Sequence, residues 1–283
     1  MPTTQLSEKK QTGIGTYLCV PAVKQNIENI VGSGNATRFI SSVVSAVQTN
    51  KALAECTNSS ILSAALLGEA LKLTPSPQLG QFYLVPYKNG GISEATFQLG
   101  WKGYIQLAIR SGQYRKIVAN AIKEGELNDY NPITEDFSVT PITDEKARQK
   151  AKVIGYYAMF ELTNGFRKEI YWSREKMQSH AETYSKGYKS DLRNKTAYTF
   201  WSKDFDAMAL KTMLRQLISK WGIMSIDMQK AYHSDMGVLD EDGSVRYVDN
   251  PSENVEEVVA EEIAANANVT PFDDDEIVMD QAK

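Results

Sequence analysis

The stretch of sequence that decides the fold is VIGYYAMFELTNGFRKEIYW, residues 153–172. Two runs rich in aliphatic and aromatic side chains, residues 153–162 and 166–172, flank the pair Asn164-Gly165. Asn-Gly between two such runs is a strong signal of the turn of a β-hairpin, because these residues are typical of tight turns. The stretch therefore predicts two long antiparallel strands.

A second hairpin is predicted nearer the N-terminus. GQFYLVPY, residues 80–87, suits a strand, KNGG at residues 88–91 suits a turn, and residues 95–99 continue as a second strand. Residues 116–122 are rich in β-branched and small side chains and predict a further strand. Consecutive hairpins imply an α+β fold, with an antiparallel β-sheet built from hairpins and packed with helices, rather than a doubly wound parallel sheet.

Apolar residues at helical spacing predict the helices around this sheet. Ser59-Ser60 and Ser173 offer N-caps, and Gly222 is suited to end a helix. The predicted helices cover residues 38–54, 59–73, 101–111, 173–184 and 198–221. The remaining segments are predicted as a loop or sheet-edge excursion over residues 126–144 and a basic loop over residues 185–194.

Composition divides the chain into three parts. Residues 1–35 are polar and hold four glycines, so we expect a mostly flexible segment with a short helix over residues 23–31 and a candidate role in oligomerisation. Residues 36–234 form the predicted core, which is long enough to bury a large apolar interior. Residues 235–283 are predicted to be a disordered acidic tail, because they combine a run of acids with few aromatic side chains.

Charge is distributed unevenly between these parts. The whole chain carries a formal net charge of −4, from 31 basic and 35 acidic residues. The tail holds 15 acids and two basic residues, and the rest of the chain is therefore basic, about +9. A basic body with an acidic tail favours a nucleic-acid or membrane partner. For the tail itself we consider solubility, occupation of a basic groove until nucleic acid displaces it, and docking of another protein.

Membrane and secreted proteins are disfavoured. The N-terminus lacks the apolar core of a signal peptide. The best apolar run, residues 61–67, is far shorter than the ~20 residues that span a bilayer. Cys19 and Cys56 form no CxxC pair and no disulfide framework. We expect a soluble cytoplasmic protein with reduced thiols and no membrane partner.

Catalytic signatures are absent from the sequence. It holds no GxxxxGK[ST] phosphate loop, no GxGxxG element opening a helix after a strand and no GxSxG element. His180 and His233 have no partners at zinc-ligand spacing. Asp204 and Asp206 diverge on a helix, so they do not predict a Mg²⁺ site. We expect a protein that is not an enzyme and that uses no cofactor or metal.

The clearest functional signal is residues 95–123, which contain no acid. On the predicted helix Lys102, Gln106 and Arg110 are spaced i, i+4, i+8 and share a polar face. Single-stranded nucleic acid requires such a mixture, because cations neutralise phosphates while aromatic rings stack on unpaired bases. Alternatively, the aromatic residues belong to the core and the cations form a solvated face. The basic residues are Lys102, Arg110, Arg115, Lys116 and Lys123, and the aromatic residues are Phe97, Trp101, Tyr104 and Tyr114.

Two further basic groups follow along the chain. Lys203, Lys211 and Arg215 lie within about 120° of one another around the predicted long helix, on a face separate from its apolar face. This stripe either faces solvent or forms a second wall of a binding groove. A basic loop with three tyrosines either clamps a nucleic-acid backbone or is a solvated linker. Its residues are Lys186, Lys189, Arg193 and Lys195 with Tyr184, Tyr188 and Tyr198.

Four blocks of this sequence resemble, in the same order, the RecT family of phage single-strand DNA annealing proteins. FQLGWKGYIQLAIRSGQY, residues 97–114, looks like the signature block of that family. Residues 79–87, 123–126 and 205–222 resemble further blocks. The resemblance spans roughly residues 38–234 and implies an antiparallel sheet packed with helices.

The resemblance also implies a function. Proteins of this family are ATP-independent recombinases that bind single-stranded DNA and anneal complementary strands in phage homologous recombination, as homo-oligomeric rings or filaments. The implied partners are single-stranded DNA, the annealed duplex, other copies of the chain, a phage exonuclease and a host single-strand-binding protein, all in the host-cell cytoplasm.

The implied DNA contacts at matching motif positions are Lys102, Arg110, Arg115, Lys116, Lys211 and Arg215. The residue patterns add Tyr104, Gln106, Tyr114 and Lys203, with Phe97 and Trp101 as candidates for a groove wall or for stacking. Two other functions stay open. One is a Mg²⁺-dependent nuclease of a phage recombination system, and the other is a protein-interaction adaptor that acts through the acidic tail.

Overall fold

Antiparallel hairpins organise the fold, as the sequence predicts. The computed structural model describes residues 12–76, 78–89, 91–240 and 244–247. These residues all fall within a unit that ends at Asp249, and the second unit, Asn250–Lys283, lies outside the described residues.

The strands form three antiparallel sheets in the described part of the chain. They are β1 (Phe82–Asn89), β2 (Ile92–Leu99), β3 (Tyr114–Lys123), β4 (Leu127–Tyr130), β5 (Phe137–Val139), β6 (Val153–Leu162), β7 (Arg167–Ser173), β8 (Gly237–Leu239) and β9 (Val245–Tyr247). Sheet A has the order β1-β2-β8-β9, sheet B has the order β3-β6-β7, and sheet C joins β4 and β5. All pairings are antiparallel, so the predicted α+β class is confirmed.

Helices pack on both larger sheets. They are α1 (Ile14–Leu18), α2 (Pro21–Val31), α3 (Ser33–Thr49), α4 (Asn58–Ala70), α5 (Trp101–Arg110), α6 (Glu145–Lys150), α7 (Arg174–Tyr184), α8 (Lys186–Asn194), α9 (Phe200–Lys203), α10 (Phe205–Trp221) and α11 (Ile226–Ser234), with a 3₁₀ helix at Lys51–Glu55. None of the helices in the described residues has the length and apolar character that crossing a membrane would require.

The hairpin of β6 and β7 matches its prediction closely. Strand β6 has the predicted bounds, and Gly165 in the turn adopts a φ of +89°. The backbone N–H of Leu162 donates to the carbonyl oxygen of Phe166 across the turn (2.8 Å). Helix α10 covers one face of this sheet, where Tyr156 and Phe160 are fully buried. The hairpin therefore supplies the surface on which the longest motif helix packs.

The predicted short helix over residues 23–31 lies within α2, but the prediction that the rest of the N-terminal segment is flexible is wrong, because α1 and the start of α3 also lie there. Residues 1–11 lie outside the described residues. Leu18 and Ile27 are fully buried, and both helices pack against α3. The segment looks polar because only one residue in each short helix is buried, which is too few to produce a clear hydrophobic period.

Two predictions on the C-terminal half need correction. Residues 186–194 form the helix α8 instead of a loop, with the side chain of Ser185 accepting a bond from the N–H of Tyr188 as its N-cap. The predicted single helix over residues 198–221 is divided into α9 and α10 at Asp204. The carboxylate of Asp204 accepts a hydrogen bond from the N–H of Ala207 and so begins a new helix. Residues 126–144 hold the β4–β5 pair, consistent with an excursion at the sheet edge.

The predicted start of a disordered tail at residue 235 is also wrong. Strands β8 and β9 extend sheet A, with Gly237 paired to Phe97 of β2. Arg246 of β9 donates to both carboxylate oxygens of Glu94 of β2, at 3.0 Å each. The folded unit therefore includes residues 235–240 and 244–247, and the rest of the predicted tail lies outside the described residues.

Asp235 is the centre of a buried ionic cluster that joins four elements. Its carboxylate accepts hydrogen bonds from the Nζ of Lys211 (2.8 Å), Nη1 of Arg215 (3.1 Å), the N–H of Leu99 (2.9 Å) and the hydroxyl of Tyr104 (3.4 Å). We call Asp235, Lys211, Arg215 and Tyr104 the Asp235 cluster. The cluster ties α10 to β2, to α5 and to the end of α11, so it connects the two motif blocks of the sequence.

Burial sets the electrostatics of the Asp235 cluster. The side chains of Asp235 and Lys211 are 0% and 7% exposed. Burial lowers the pKa of Lys211 from its ordinary value, although the negative charge of Asp235 acts in the opposite direction. Burial also raises the pKa of Tyr104 far above its ordinary value, so its hydroxyl stays a hydrogen-bond donor. Without Asp235, the Lys211 ammonium and the Tyr104 hydroxyl would be buried without this acceptor, which costs free energy.

We predict that Asp235→Asn lowers the free energy of unfolding by about 3–5 kcal/mol, because it leaves the Lys211 ammonium buried without a counter-charge. Chemical denaturation followed by circular dichroism measures this. Asp129→Asn is the control, since Asp129 is exposed on β4. A loss as small as that of the control would contradict the structural role of the cluster.

We also predict that a chain ending at residue 234 is much less stable than a chain ending at residue 249. The shorter chain loses Asp235 and the strands β8 and β9, whereas the longer chain keeps them. Thermal unfolding of the two truncated proteins compares them directly. Equal midpoints would show that sheet A does not need its C-terminal strands.

Candidate nucleic-acid interface

Four of the candidate site residues, three predicted DNA contacts and one candidate for the groove wall or stacking, are buried and contact other parts of the protein. Phe97 is fully buried and stacks on a phenylalanine of β1, with ring centroids 5.1 Å apart. The hydroxyl of Tyr114 donates to a backbone carbonyl oxygen after α10 (2.9 Å). Tyr104 and Lys211 belong to the Asp235 cluster. The predicted basic stripe on the long helix is therefore wrong at Lys211, whose ammonium faces the interior.

Three arginines among the predicted contacts are already engaged by the protein. Arg110 donates to a backbone carbonyl oxygen at the C-terminal end of α4 (2.6 Å). Arg215 is half-buried in the Asp235 cluster. Arg115 pairs with Glu161 (3.0 Å), but its side chain is 71% exposed. An ion pair this exposed is weak, so a phosphate can compete with Glu161 for Arg115.

The other predicted polar contacts are exposed and available. Lys102, Gln106, Lys116 and Lys203 form no side-chain hydrogen bond or ion pair with any described residue. Lys102 lies over the ring of Trp101, with its Nζ 5.7 Å from the ring centroid. Lys102 and Gln106 belong to the block at residues 97–114, whereas Lys116 and Lys203 lie just outside the motif blocks.

A cavity of about 160 Å³ lies where the two motif blocks meet. One wall comes from the end of the β1–β2 hairpin and the start of α5, and the other from α9 and the start of α10. Besides Lys211, whose ammonium is held by Asp235, the polar and aromatic side chains that line it are Tyr83, Gln98, Trp101, Phe200, Lys203 and Asp204. We call this space the aromatic cavity. Of these residues, the sequence patterns single out Trp101 and Lys203 as candidate contacts but miss Tyr83, Gln98 and Phe200.

Close backbone packing builds the first wall of the aromatic cavity. A Cβ atom at Gly100 would lie 2.1 Å from the carbonyl oxygen of Gly80, and one at Gly103 would lie 2.1 Å from that of Gln81. Only glycine permits this approach, which presses the start of α5 against the residues before β1. Trp101, the residue after Gly100, lines the cavity together with Tyr83.

A buried aspartate holds the second wall. Asp191 of α8 is 3% exposed, and its carboxylate accepts hydrogen bonds from the side chains of Thr196, Thr199 and Ser202 and from the N–H groups of Tyr198 and Thr199. These bonds lower the pKa of Asp191 well below its ordinary value. They order the segment that presents Phe200 and Lys203 to the cavity. Sequence spacing gives no signal for Asp191, because its partners lie in an irregular turn.

Tilted aromatic rings and charged side chains make up the walls of the aromatic cavity. The rings of Tyr83 and Phe200 lie 5.7 Å apart and are tilted by 39°. The Nζ of Lys203 lies 5.9 Å from the Phe200 ring centroid. Burial raises the pKa of Tyr83, and the nearby charge of Asp204 raises it further, so the phenol keeps its proton. The cavity thus presents aromatic surface, a cation, a phenol and a carboxylate.

Helix α8 adds a basic surface next to α9. The three basic residues of the helix and the one that follows it are exposed, and none forms an ion pair with a described residue, while Tyr188 is buried and anchors the helix. The segment expected to be a basic loop is thus a helix with exposed cations. The basic residues are Lys186, Lys189, Arg193 and the following Lys195.

A second cavity of about 430 Å³ lies beside sheet B, but its charges are balanced. Arg148 pairs with Glu126 (2.6 Å), and Arg167 pairs with Glu169 (2.8 Å). Burial opposes the charge on Glu126, yet the bonds from Arg148 and from two backbone N–H groups lower its pKa. Glu126, from the block at residues 123–126, therefore anchors the β4–β5 insertion.

The acidic pair Asp204 and Asp206 does not converge. Asp204 caps α10, whereas Asp206 accepts a hydrogen bond from the hydroxyl of Tyr156 (2.6 Å) and pairs with Arg174 (3.5 Å). Within the described residues, no three His, Cys, Asp or Glu side chains are grouped so that they could hold a metal ion.

Comparisons with known proteins agree with the resemblance carried by the motif blocks. An uncharacterised protein of Bacillus subtilis (strain 168), YqaK, is 41% identical over 236 residues, which is 83% of this chain and 74% of the relative. Protein RecT of Escherichia coli (strain K12) is 25% identical over 237 residues, 80% of this chain and 81% of the relative. The sequence model that describes the RecT family matches residues 37–255, which extend past the predicted boundary at 234. The chain belongs to the RecT family.

Proposed function

We propose that this protein binds single-stranded DNA and anneals complementary strands in phage homologous recombination, without ATP and as a homo-oligomeric ring or filament. Membership of the RecT family supports this role.

One observation carries the proposal. Lys203 lines the aromatic cavity, Lys102 lies over the ring of Trp101 in its wall, and neither lysine has an acidic partner among the described residues. Several other cations of the body are neutralised, as Lys211, Arg148 and Arg167 are. Unpaired cations next to aromatic rings suit a strand that has both phosphates and unpaired bases.

The proposed contact set follows from exposure. Lys102, Lys116 and Lys203 contact phosphates, Gln106 contributes hydrogen bonds, and Arg110 and Arg115 use the donors that remain at their exposed ends. Trp101 forms part of the groove wall. Phe97, Tyr104, Tyr114, Lys211 and Arg215 support the groove from the interior.

Annealing requires no covalent step. Cations that hold the phosphates of a first strand screen its repulsion of a second strand and leave most base edges free to pair. Repetition of the groove along an oligomer then aligns many nucleotides in register. A phage exonuclease that produces single strands and a host single-strand-binding protein are the partners that this role implies, in the host-cell cytoplasm.

An annealing assay tests the proposal. Complementary labelled oligonucleotides are mixed with the protein without ATP, with and without Mg²⁺, and duplex formation is followed over time. We expect faster duplex formation than in a protein-free control and intact strands throughout. No acceleration would overturn the proposal, and degradation that depends on Mg²⁺ would favour a nuclease.

We further predict that Lys102→Ala and Lys203→Ala each reduce the steepness of the salt dependence of single-strand binding. Each removes about one phosphate contact per subunit, which lowers the slope of log K against log salt by about 0.7. Lys146→Ala on α6 is the matched control, because Lys146 is also exposed and lies on the insertion away from the aromatic cavity. Slopes equal to that of the control would remove both lysines from the contact set.

A further inference from the structure

The aromatic cavity contains aromatic rings and a carboxylate, which the binding of phosphates does not require. We infer that it takes one unstacked pyrimidine base from the bound strand, with cytosine preferred over thymine. This inference rests on the proposed single-strand binding, and it assigns the cavity a ligand and a base preference.

The size of the cavity suits one six-membered ring. Its volume is about 160 Å³, and an apolar protein cavity of ~150 Å³ accepts a benzene ring. A pyrimidine has this size, whereas the two fused rings of a purine would protrude. The rings of Tyr83, Trp101 and Phe200 supply the flat surfaces on which an unpaired base stacks.

Two polar side chains give the cavity its base preference. The Oδ1 of Asp204 accepts the N–H of Ala207, and its other oxygen accepts no hydrogen bond from a described residue. The side-chain amide of Gln98 likewise has no partner among the described residues, although both side chains line the cavity. A carboxylate accepts a hydrogen bond from the N4 amino group of cytosine, but it repels the O4 carbonyl of thymine.

The cations are placed to hold the strand on both sides of the inserted base. Lys203 lines the cavity beside Phe200, and Lys102 lies across the Trp101 ring. The phosphates that flank one base can thus be neutralised from α9 and from α5. The inserted base fixes the register of the first strand, and it must leave the cavity to pair when the complementary strand arrives.

The test compares all-deoxycytidine and all-deoxythymidine oligonucleotides of equal length, at a mildly alkaline pH where cytosine is uncharged. For the unaltered protein we expect tighter binding of the cytosine strand, by about five-fold or more per occupied cavity. Asp204→Asn keeps an N-cap residue for α10 but replaces the acceptor with an amide that can donate to thymine. We expect this variant to lose or reverse the preference, whatever its overall affinity.

A second variant tests the cavity without changing Asp204, the N-cap residue of α10. Phe200 is 36% exposed, so Phe200→Ala removes a stacking surface without opening the core. It should weaken binding of the cytosine strand by about five-fold or more. Phe166→Ala is the matched control, since Phe166 is 43% exposed on the turn between β6 and β7.

The outcomes separate this inference from the proposed function. One outcome overturns the base cavity and leaves strand binding intact. The protein then binds the cytosine and thymine strands with equal affinity. In addition, neither Asp204→Asn nor Phe200→Ala changes the ratio of the two affinities or the affinity for the cytosine strand. If the protein binds neither strand, the proposed function itself fails.

Discussion

The carboxylate of Asp235 is the interaction on which the rest of this structure depends. It lies at the junction of β2, α5, α10 and the end of α11, and it accepts bonds from a lysine, an arginine, a tyrosine and a backbone N–H. A buried carboxylate and a buried ammonium are each very unfavourable alone, so the two must be brought together as the chain folds. That constraint fixes α10 against α5 and sheet A, and the aromatic cavity lies between the same elements.

This arrangement divides the cations of the body into two groups. Those of the Asp235 cluster and of the β4–β5 insertion are neutralised by carboxylates and stabilise the packing. Those at the rim of the aromatic cavity and on α8 have no acidic partner among the described residues. The number of cations without an acidic partner is therefore smaller than the number of basic residues in the body suggests. Asp191 contributes indirectly, because it holds the segment that carries Phe200 and Lys203.

The sequence predicted the parts of the fold that depend on local chemistry. The Asn164-Gly165 turn and the bounds of β6 are correct, and Ser173 and Gly222 do begin and end helices. Predictions failed where the same local sequence pattern is compatible with two different structures. Residues 186–194 look like a loop because they are polar, yet the buried side chains of Tyr188 and Asp191 make them a packed helix.

The candidate site shows the same division. By itself the sequence determined the family, the antiparallel hairpins and the acid-free block in which Lys102 and Trp101 lie, since these depend on residues that are near each other in the chain. Only the tertiary structure decided which basic residues remain available to a ligand. Asp235, which neutralises Lys211, lies 24 positions further along the chain. The same carboxylate also accepts the backbone N–H of Leu99, which lies 136 positions before it. Neutralisation of a charge depends on distance in space, and no spacing along the chain reports it.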